Sequence, residues 1–286
     1  MRATAVALLA VLAAASAQAQ PAGAKKKTLA RPPASDVSTG RVDERLRGVV
    51  ADASRPEADR ARDGARHPVE SLAFWGLKPG ATVVDLQPGG GYWTYILAPY
   101  ARATGGRYVA GAGLRGKDAF MTKFGDQAKF GEVGYAEFSK TSAPVVPAGT
   151  ADLVLSSREI HNWMRGEMLD KGMSDAFAML KPGGVFAVEE HRADGSAVKT
   201  DGSAGYVPTQ TVVAAAQKAG FRLAAKSEIN ANAKDTKDHP FGVWTLPPSR
   251  FTTANGQGND PAFDRTKYEA IGESDRMTLR FEKPRA

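Results

Sequence analysis

The segment Thr82-Val-Val-Asp85-Leu-Gln87-Pro88-Gly89-Gly90-Gly91-Tyr92-Trp93-Thr94 constrains the fold more than any other stretch of the chain. It reads as a short buried strand (Thr82 to Leu86), a turn with three consecutive glycines, and the opening of a helix from Tyr92 to Tyr100. Glycines let the backbone pass close to a ligand, and the free N–H groups at a helix start face it. Asp85, at the carboxyl end of the strand, would point an acceptor into the same crevice. That is where open α/β sheets bind nucleotide-like ligands.

The flanking sequence repeats the pattern. Leu77-Lys78-Pro79-Gly80 is a turn feeding the first strand, and Thr104-Gly105-Gly106 precedes a second strand, Arg107 to Ala110. A helix near Asp118–Phe124 leads to a third strand at Gly134–Phe138, and Ala151-Asp152-Leu-Val-Leu-Ser156 reads as the fourth. A helix over Glu167–Leu180 is closed by Lys181-Pro-Gly-Gly184, and Val185–Glu189 follows as the fifth strand. A helix over Val207–Ala219, a sixth strand at Phe221–Ile229 and a last strand at Met277–Glu282 complete the set. Strands alternating with helices predict an α/β fold whose mostly parallel sheet is covered on both faces. Upstream, Val42–Val50 reads as a short helix and Pro56–Phe74 as a longer one that His67-Pro68 must interrupt. Asn230–Glu273 is a long irregular insert, expected to be a lid or an edge cover.

Met1-Arg2, the apolar run Ala5–Ala15 and Ala17-Gln18-Ala19, an A-x-A cleavage pattern, predict a secretory signal peptide over residues 1–19. The run is too short to span a membrane, and no later run is long enough. The mature protein is expected to be periplasmic or secreted. Residues 20–50 read as a flexible Pro/Ala/Lys-rich linker and 51–286 as one domain, which a 286-residue chain with 42% hydrophobic residues can stabilise. The absence of cysteine excludes zinc–thiolate sites and cysteine nucleophiles. The net charge of +7 is scattered; its only run, Lys25-Lys26-Lys27, falls in the expected linker, so no nucleic-acid partner is expected.

The order of these signals resembles the class I S-adenosylmethionine-dependent methyltransferases, in particular a secreted predicted-methyltransferase subgroup. The residues that carry the resemblance are Val84-Asp85-Leu-Gln-Pro-Gly89-Gly-Gly91, Ala151-Asp152-Leu-Val-Leu, and Leu180-Lys-Pro-Gly-Gly184-Val-Phe. The segments Gly91-Tyr-Trp-Thr94, Arg158-Glu-Ile-His161-Asn162-Trp163 and Glu190-His191 add to it. It spans roughly Pro56 to Pro284. The resemblance implies a Rossmann-like seven-stranded sheet with an antiparallel last strand, and S-adenosylmethionine as cofactor. It implies a cofactor-binding set of Asp85, Gln87, Gly89, Gly90, Gly91, Tyr92, Ala112 and Ser156. Two positions depart from the family pattern. Gln87 stands where a glycine is usual, and the end of the second strand, Val109-Ala-Gly-Ala112-Gly113, lacks the acid that usually holds the ribose hydroxyls. A nicotinamide enzyme fits worse: G-x-G-x-x-G would need glycine at Thr94.

His161, Asn162, Glu189, Glu190 and His191 fall at the carboxyl ends of neighbouring strands and would converge over the crevice. His161, Asn162, Glu190 and His191 form the candidate catalytic set, because an imidazole beside a carboxylate serves as a general base. His161 and His191 with a carboxylate also have the chemistry of metal ligands, although no metal is expected. The reading is an S-adenosylmethionine-dependent methyltransferase acting on a small or envelope-associated substrate. The alternative is a secreted, non-catalytic binding protein that reuses the fold. Intact glycines favour the first; the export signal, Gln87 and Ala112 favour the second, since S-adenosylmethionine is made in the cytoplasm.

Overall fold

The structure, a computed structural model, describes residue 1 and residues 43–196 and 199–285. The expected signal peptide and most of the expected linker lie outside the described residues. Helices α1 (Glu44–Ala51), α2 (Glu57–Arg60), α3 (Asp63–Arg66) and α4 (Pro68–Phe74) precede β1 (Thr82–Leu86). Then come α5 (Thr94–Thr104), β2 (Arg107–Ala112), α6 (Lys117–Phe124), α7 (Gln127–Phe130) and β3 (Val133–Glu137). The second half runs β4 (Ala151–Ser157), α8 (Ile160–Arg165), α9 (Leu169–Met179), β5 (Leu180–His191) and α10 (Thr209–Lys218). It ends with β6 (Arg222–Ser227), α11 (Thr266–Ile271) and β7 (Arg276–Glu282).

The seven strands form one sheet in the order β3-β2-β1-β4-β5-β7-β6. All pairs are parallel except those of β7, which runs antiparallel to both β5 and β6. Because side chains alternate across a strand, Val83 and Val84 enter opposite layers. Val84 joins Val154, Phe186 and Phe281 on the face covered by α9 and α10, whereas Val83 joins Leu155 and Ala187 against Ile96, Leu97 and Tyr100 of α5. Burial on both faces explains the uninterrupted apolar runs Leu153–Leu155 and Val185–Val188. Strand order reverses at β1, whose neighbours are β2 and β4, and the carboxyl end of β1 therefore opens into a crevice. Among the described residues no helix is long and apolar enough to cross a membrane.

Two expectations need correction at the amino-terminal end. Folded structure begins before residue 51, because α1 lies inside the stretch expected to be a linker. Asp43 caps α1 through the Arg45 N–H at 3.0 Å and accepts the Tyr100 hydroxyl at 3.0 Å, and Leu46 is buried in the α5 layer. The helix expected over Pro56–Phe74 breaks at His67-Pro68 as expected, and a second time, unforeseen, between Arg60 and Asp63. His67 takes a left-handed conformation (φ 42°) between α3 and α4, and Pro68 restarts the helix as its first residue.

The Asn230–Glu273 insert packs down as a cover over the carboxyl ends of β4 and β5. Asp235 anchors it, accepting from the Tyr206 hydroxyl (3.0 Å) and the backbone N–H of Asp275 (2.7 Å) and pairing with His239 Nε2 at 2.8 Å. Val243 and Trp244 pack with Ala193 and Tyr206 in a small separate apolar cluster. The last residues of the insert enter a buried chain of charges. Glu273 meets Arg62, Arg66 and Arg276 at 2.7–3.1 Å, Arg276 meets Glu189 at 3.0 Å, and Glu189 accepts the Ser157 hydroxyl at 2.7 Å. Ser157 in turn accepts Trp93 Nε1–H at 2.9 Å, which ties this chain to the start of α5.

Candidate cofactor cleft and acceptor site

The glycine turn is open on its ligand side. A Cβ added at Gly89 or Gly90 would meet nothing within 4 Å, whereas one at Gly91 would lie 2.2 Å from Phe124 Cζ. The first two glycines therefore keep space clear, and the third lets α6 pack closely. Gln87 occupies the left-handed region (φ 56°) that a glycine would favour; it borders the cleft, but its side-chain oxygen is tied up elsewhere. Its Oε1 accepts a hydrogen bond from Trp163 Nε1 at the base of α8. Tyr92 turns away: its hydroxyl donates to Asp63 at 2.7 Å, and the Arg66 guanidinium stacks 4.4 Å from its ring.

Three cavities line the carboxyl edge of the sheet. One of about 420 Å³ lies between Gly89–Gly90, Ala112–Gly113 and the aromatic wall of Phe120, Phe124 and Tyr135. Its volume falls within the roughly 300–1,000 Å³ usual for small-molecule sites. A second, about 90 Å³, lies above Asp85, Gln87–Gly90 and Tyr92–Trp93. A third, about 180 Å³, sits beneath the insert between His161, Asn162, His191 and the Val243–Ser249 region. Glu159 lines all three. A cavity of about 680 Å³, larger than these three, opens where the strands begin, around Lys78–Ala81 and Lys181–Val185. Ligands of open α/β sheets bind at the opposite edge, and the Lys181–Asp152 pair at 2.7 Å already satisfies two of its charges.

Each expected cofactor residue can now be placed. Asp85 is 1% exposed, and its Oδ2 accepts the Tyr108 hydroxyl at 3.0 Å while that hydroxyl also meets Thr94 Oγ1. Burial pushes its pKa up to about 7, with the nearby Glu159 adding to the rise against the Tyr108 bond. Gln87, Gly89, Gly90 and Ala112 line the cleft; Tyr92 borders only the small cavity, and Gly91 borders neither. Ser156 is fully buried with no partner for its hydroxyl and lines no cavity; its neighbour Ser157 occupies that role. No carboxylate of β2 reaches the large cavity. Lys123 and Glu159 are its charged residues, and Lys123 Nζ is tied to the Gly90 carbonyl at 2.7 Å.

The stability tied to Asp85 has a defined sign. It is fully present below the ordinary value of 3.8 and is lost as pH rises through about 7, where the ion must exist in a dry site. Asp85→Asn keeps an acceptor for Tyr108 and removes the ion. It is expected to stabilise the fold by a few kcal/mol at pH 8 and much less at pH 4.5, as read from urea unfolding of both proteins at the two pH values.

The four expected catalytic residues do converge. His161 Nδ1 lies 3.0 Å from Glu190 Oε1, and the backbone N–H groups of His161 and His191 donate to the same carboxylate at 3.1 and 2.8 Å. Burial alone would lower the pKa of His161, but the Glu190 carboxylate outweighs it and holds the imidazole above its usual value. Burial, reinforced by the charges of His161, Arg158 and Arg276, keeps His191 well below it. The two rings stand 5.5 Å apart, and the Trp244 ring of the insert covers His161 at 5.9 Å. Asn162 Nδ2 donates to Glu159 Oε2 at 3.0 Å, so it orients that carboxyl. Burial pushes the Glu159 pKa up to about 7, with Glu190 adding to the rise and Asn162, His161 and Arg158 opposing it. Trp75, Trp93 and Trp163 are buried, and each ring N–H is bonded within the protein, to Leu279, Ser157 and Gln87.

Glu159 and Arg158 are absent from the expected site set. Their signal is positional: an acid and a base immediately after β4, in the turn before α8, at the carboxyl edge of the sheet. Arg158 holds a left-handed backbone (φ 59°) with a buried, unpartnered Nε.

Strand order, the antiparallel seventh strand and the glycine turn after β1 together decide the architecture. The fold is that of the class I methyltransferases. No protein-family model matches the sequence. An S-adenosylmethionine-dependent methyltransferase from Aquifex aeolicus is similar in structure, with 16% identity and a TM-score of 0.50, over 65% of this chain and 92% of that one. The (4+2)-cyclase SpnF is similar at 15% identity and a TM-score of 0.50, over 78% of this chain and 81% of that one. At such identities the likeness is one of fold. Open α/β sheets bind ligands at the carboxyl ends of their strands, and function has to be argued from the residues there.

Proposed function

We propose that the protein is an S-adenosylmethionine-dependent methyltransferase acting on a small or envelope-associated acceptor beneath the insert. The observation that carries this reading is the set of three cavities at the carboxyl edge, clear of side chains at Gly89 and Gly90 and each bordered by Glu159. The adenosyl group would lie in the large cavity beside Phe120 and Tyr135. The amino-acid end would meet the turn N–H groups and Asp85, which a cationic ammonium would return to its ionised form. The acceptor would enter the third cavity, beside His161 and His191. S-adenosylmethionine would supply the methyl group, its sulfur keeping the bonding pair, while the acceptor's oxygen or nitrogen would take the methyl and lose its proton to Glu159. A carboxyl whose pKa lies near the working pH is suited to that task. Asn162 positions Glu159, and Glu190 holds His161. Export, inferred from residues 1–19, belongs to the same reading and places the acceptor in the envelope or beyond it.

Calorimetry with S-adenosylmethionine and S-adenosylhomocysteine tests the proposal. Micromolar binding of both is the expected result. Silence at millimolar ligand overturns it in favour of a cofactor-free use of the fold.

A further inference from the structure

We propose that His161, Glu190 and His191 bind one divalent transition-metal ion, of the zinc or iron(II) class, under the insert. One donor atom from each residue lies within 4.8 Å of the others. Two imidazoles and one carboxylate are ligands suited to zinc, iron or nickel, and unsuited to calcium or magnesium, which prefer oxygen. The three side chains are 3%, 0% and 9% exposed, and they come from the start of α8 and the end of β5, on elements rather than loops.

The surrounding bonds are those of a held ligand set. His191 Nδ1 meets Ser274 Oγ, an outer bond that fixes that ring, and His161 Nδ1 meets Glu190 directly, so two of the three ligands already stand in contact. Among the described residues no protein group bonds to Nε2 of either ring. Neither atom is among the enclosed, unpartnered side-chain nitrogens, although His239 Nδ1 is. His161 and His191 both line the 180 Å³ cavity, which gives an ion a way in. Bonds of about 2.0–2.2 Å allow two ligands to stand no more than about 4.4 Å apart. The donor atoms, all within 4.8 Å of one another, stand close to that limit. Two neutral imidazoles and one carboxylate leave a divalent ion with net positive charge, and Arg158 borders the same cavity. The remaining coordination positions therefore suit an acceptor with an acidic hydroxyl, such as a phenol or enol. This last step rests on the methyl-transfer reading; metal binding itself does not.

The test is titration of chelator-treated, untagged protein with zinc chloride by calorimetry, and with cobalt(II) chloride by visible absorption. One equivalent bound at micromolar Kd or tighter is expected, with cobalt bands typical of low-coordinate nitrogen–oxygen ligation. His161→Ala and His191→Ala should each weaken binding more than about 100-fold, and Ser274→Ala, which removes only an outer bond, about 10–100-fold. The chain has four histidines, so His67→Ala serves as the control and should leave affinity unchanged. Absence of stoichiometric binding, or binding that survives both His161→Ala and His191→Ala, overturns the proposal. Should those two variants fail to fold, an unchanged affinity in Ser274→Ala overturns it. Zinc binding with silence toward S-adenosylmethionine would uphold this site and remove the transferase reading; the converse result separates them the other way.

Discussion

Glu159→Gln is expected to slow methyl transfer about 10²–10⁴-fold while changing S-adenosylhomocysteine affinity only severalfold. The size follows from its place. Glu159 is the one residue common to all three cavities, and glutamine keeps its shape and its bond with Asn162 but cannot take a proton. The unmodified protein should gain rate as pH rises through about 7, because only the ionised carboxylate accepts a proton and burial has moved its pKa there. The rate is read as S-adenosylhomocysteine released with a panel of small phenols, enols and amines. The side-chain carboxyl carbon, followed by NMR, should titrate near pH 7 whatever the acceptor. A carboxyl titrating near its ordinary 4.5 would remove Glu159 from the role of base.

Gly90→Val should block the cofactor without disturbing the fold. Gly90 has ordinary backbone angles, and a Cβ there meets nothing within 4 Å, so the new side chain projects into the cleft it shares with Gly89. Overlap with a bound nucleoside costs about 1–3 kcal/mol, or roughly 5–150-fold in affinity. Unfolding free energy should change by less than about 0.5 kcal/mol, as for other open positions. Gly91→Ala is the contrasting control: its Cβ strikes the Phe124 ring and its φ of 87° disfavours any side chain, so it should lose stability. Equal affinity in Gly90→Val and the parent would show that the ligand lies elsewhere.

Most of the fold was legible because strand periods and glycine punctuation are local. β1, β4, α6 and β7 fall within one or two residues of their expected bounds. The resemblance, not periodicity, carried the antiparallel β7, since nothing in Met277–Glu282 states its direction. The convergence of His161 with Glu190 and His191 followed from both lying at strand ends. What could not be read were side-chain directions and long-range partners. Ser156 and Ser157 are adjacent, and alternation across β4 decides which of them borders the cleft. Gln87 gave no hint of its partner Trp163, 76 residues on, nor Tyr108 of its bond to Asp85. Glu159 gains its character from burial under elements far away in sequence, and composition carries no trace of that. The helix at Val42–Val50 was legible, but its docking onto the domain was not, because α1 is short and mostly polar, with only Leu46 fully buried.

The ion chain from Arg62 and Arg66 through Glu273, Arg276 and Glu189 to Ser157 has an evolutionary corollary. Exchange of any single member strands a buried charge, typically at a cost of about 3–5 kcal/mol, close to the whole margin of a small domain. Descendants of this chain can therefore drift freely in the middle of the insert, at exposed positions such as Gln257 or Asn259. Along the ion chain, tolerated changes should come as compensated pairs, such as Glu189 and Arg276 becoming apolar together. Selection on stability alone would then keep the insert fastened at its carboxyl end, whatever molecule it covers.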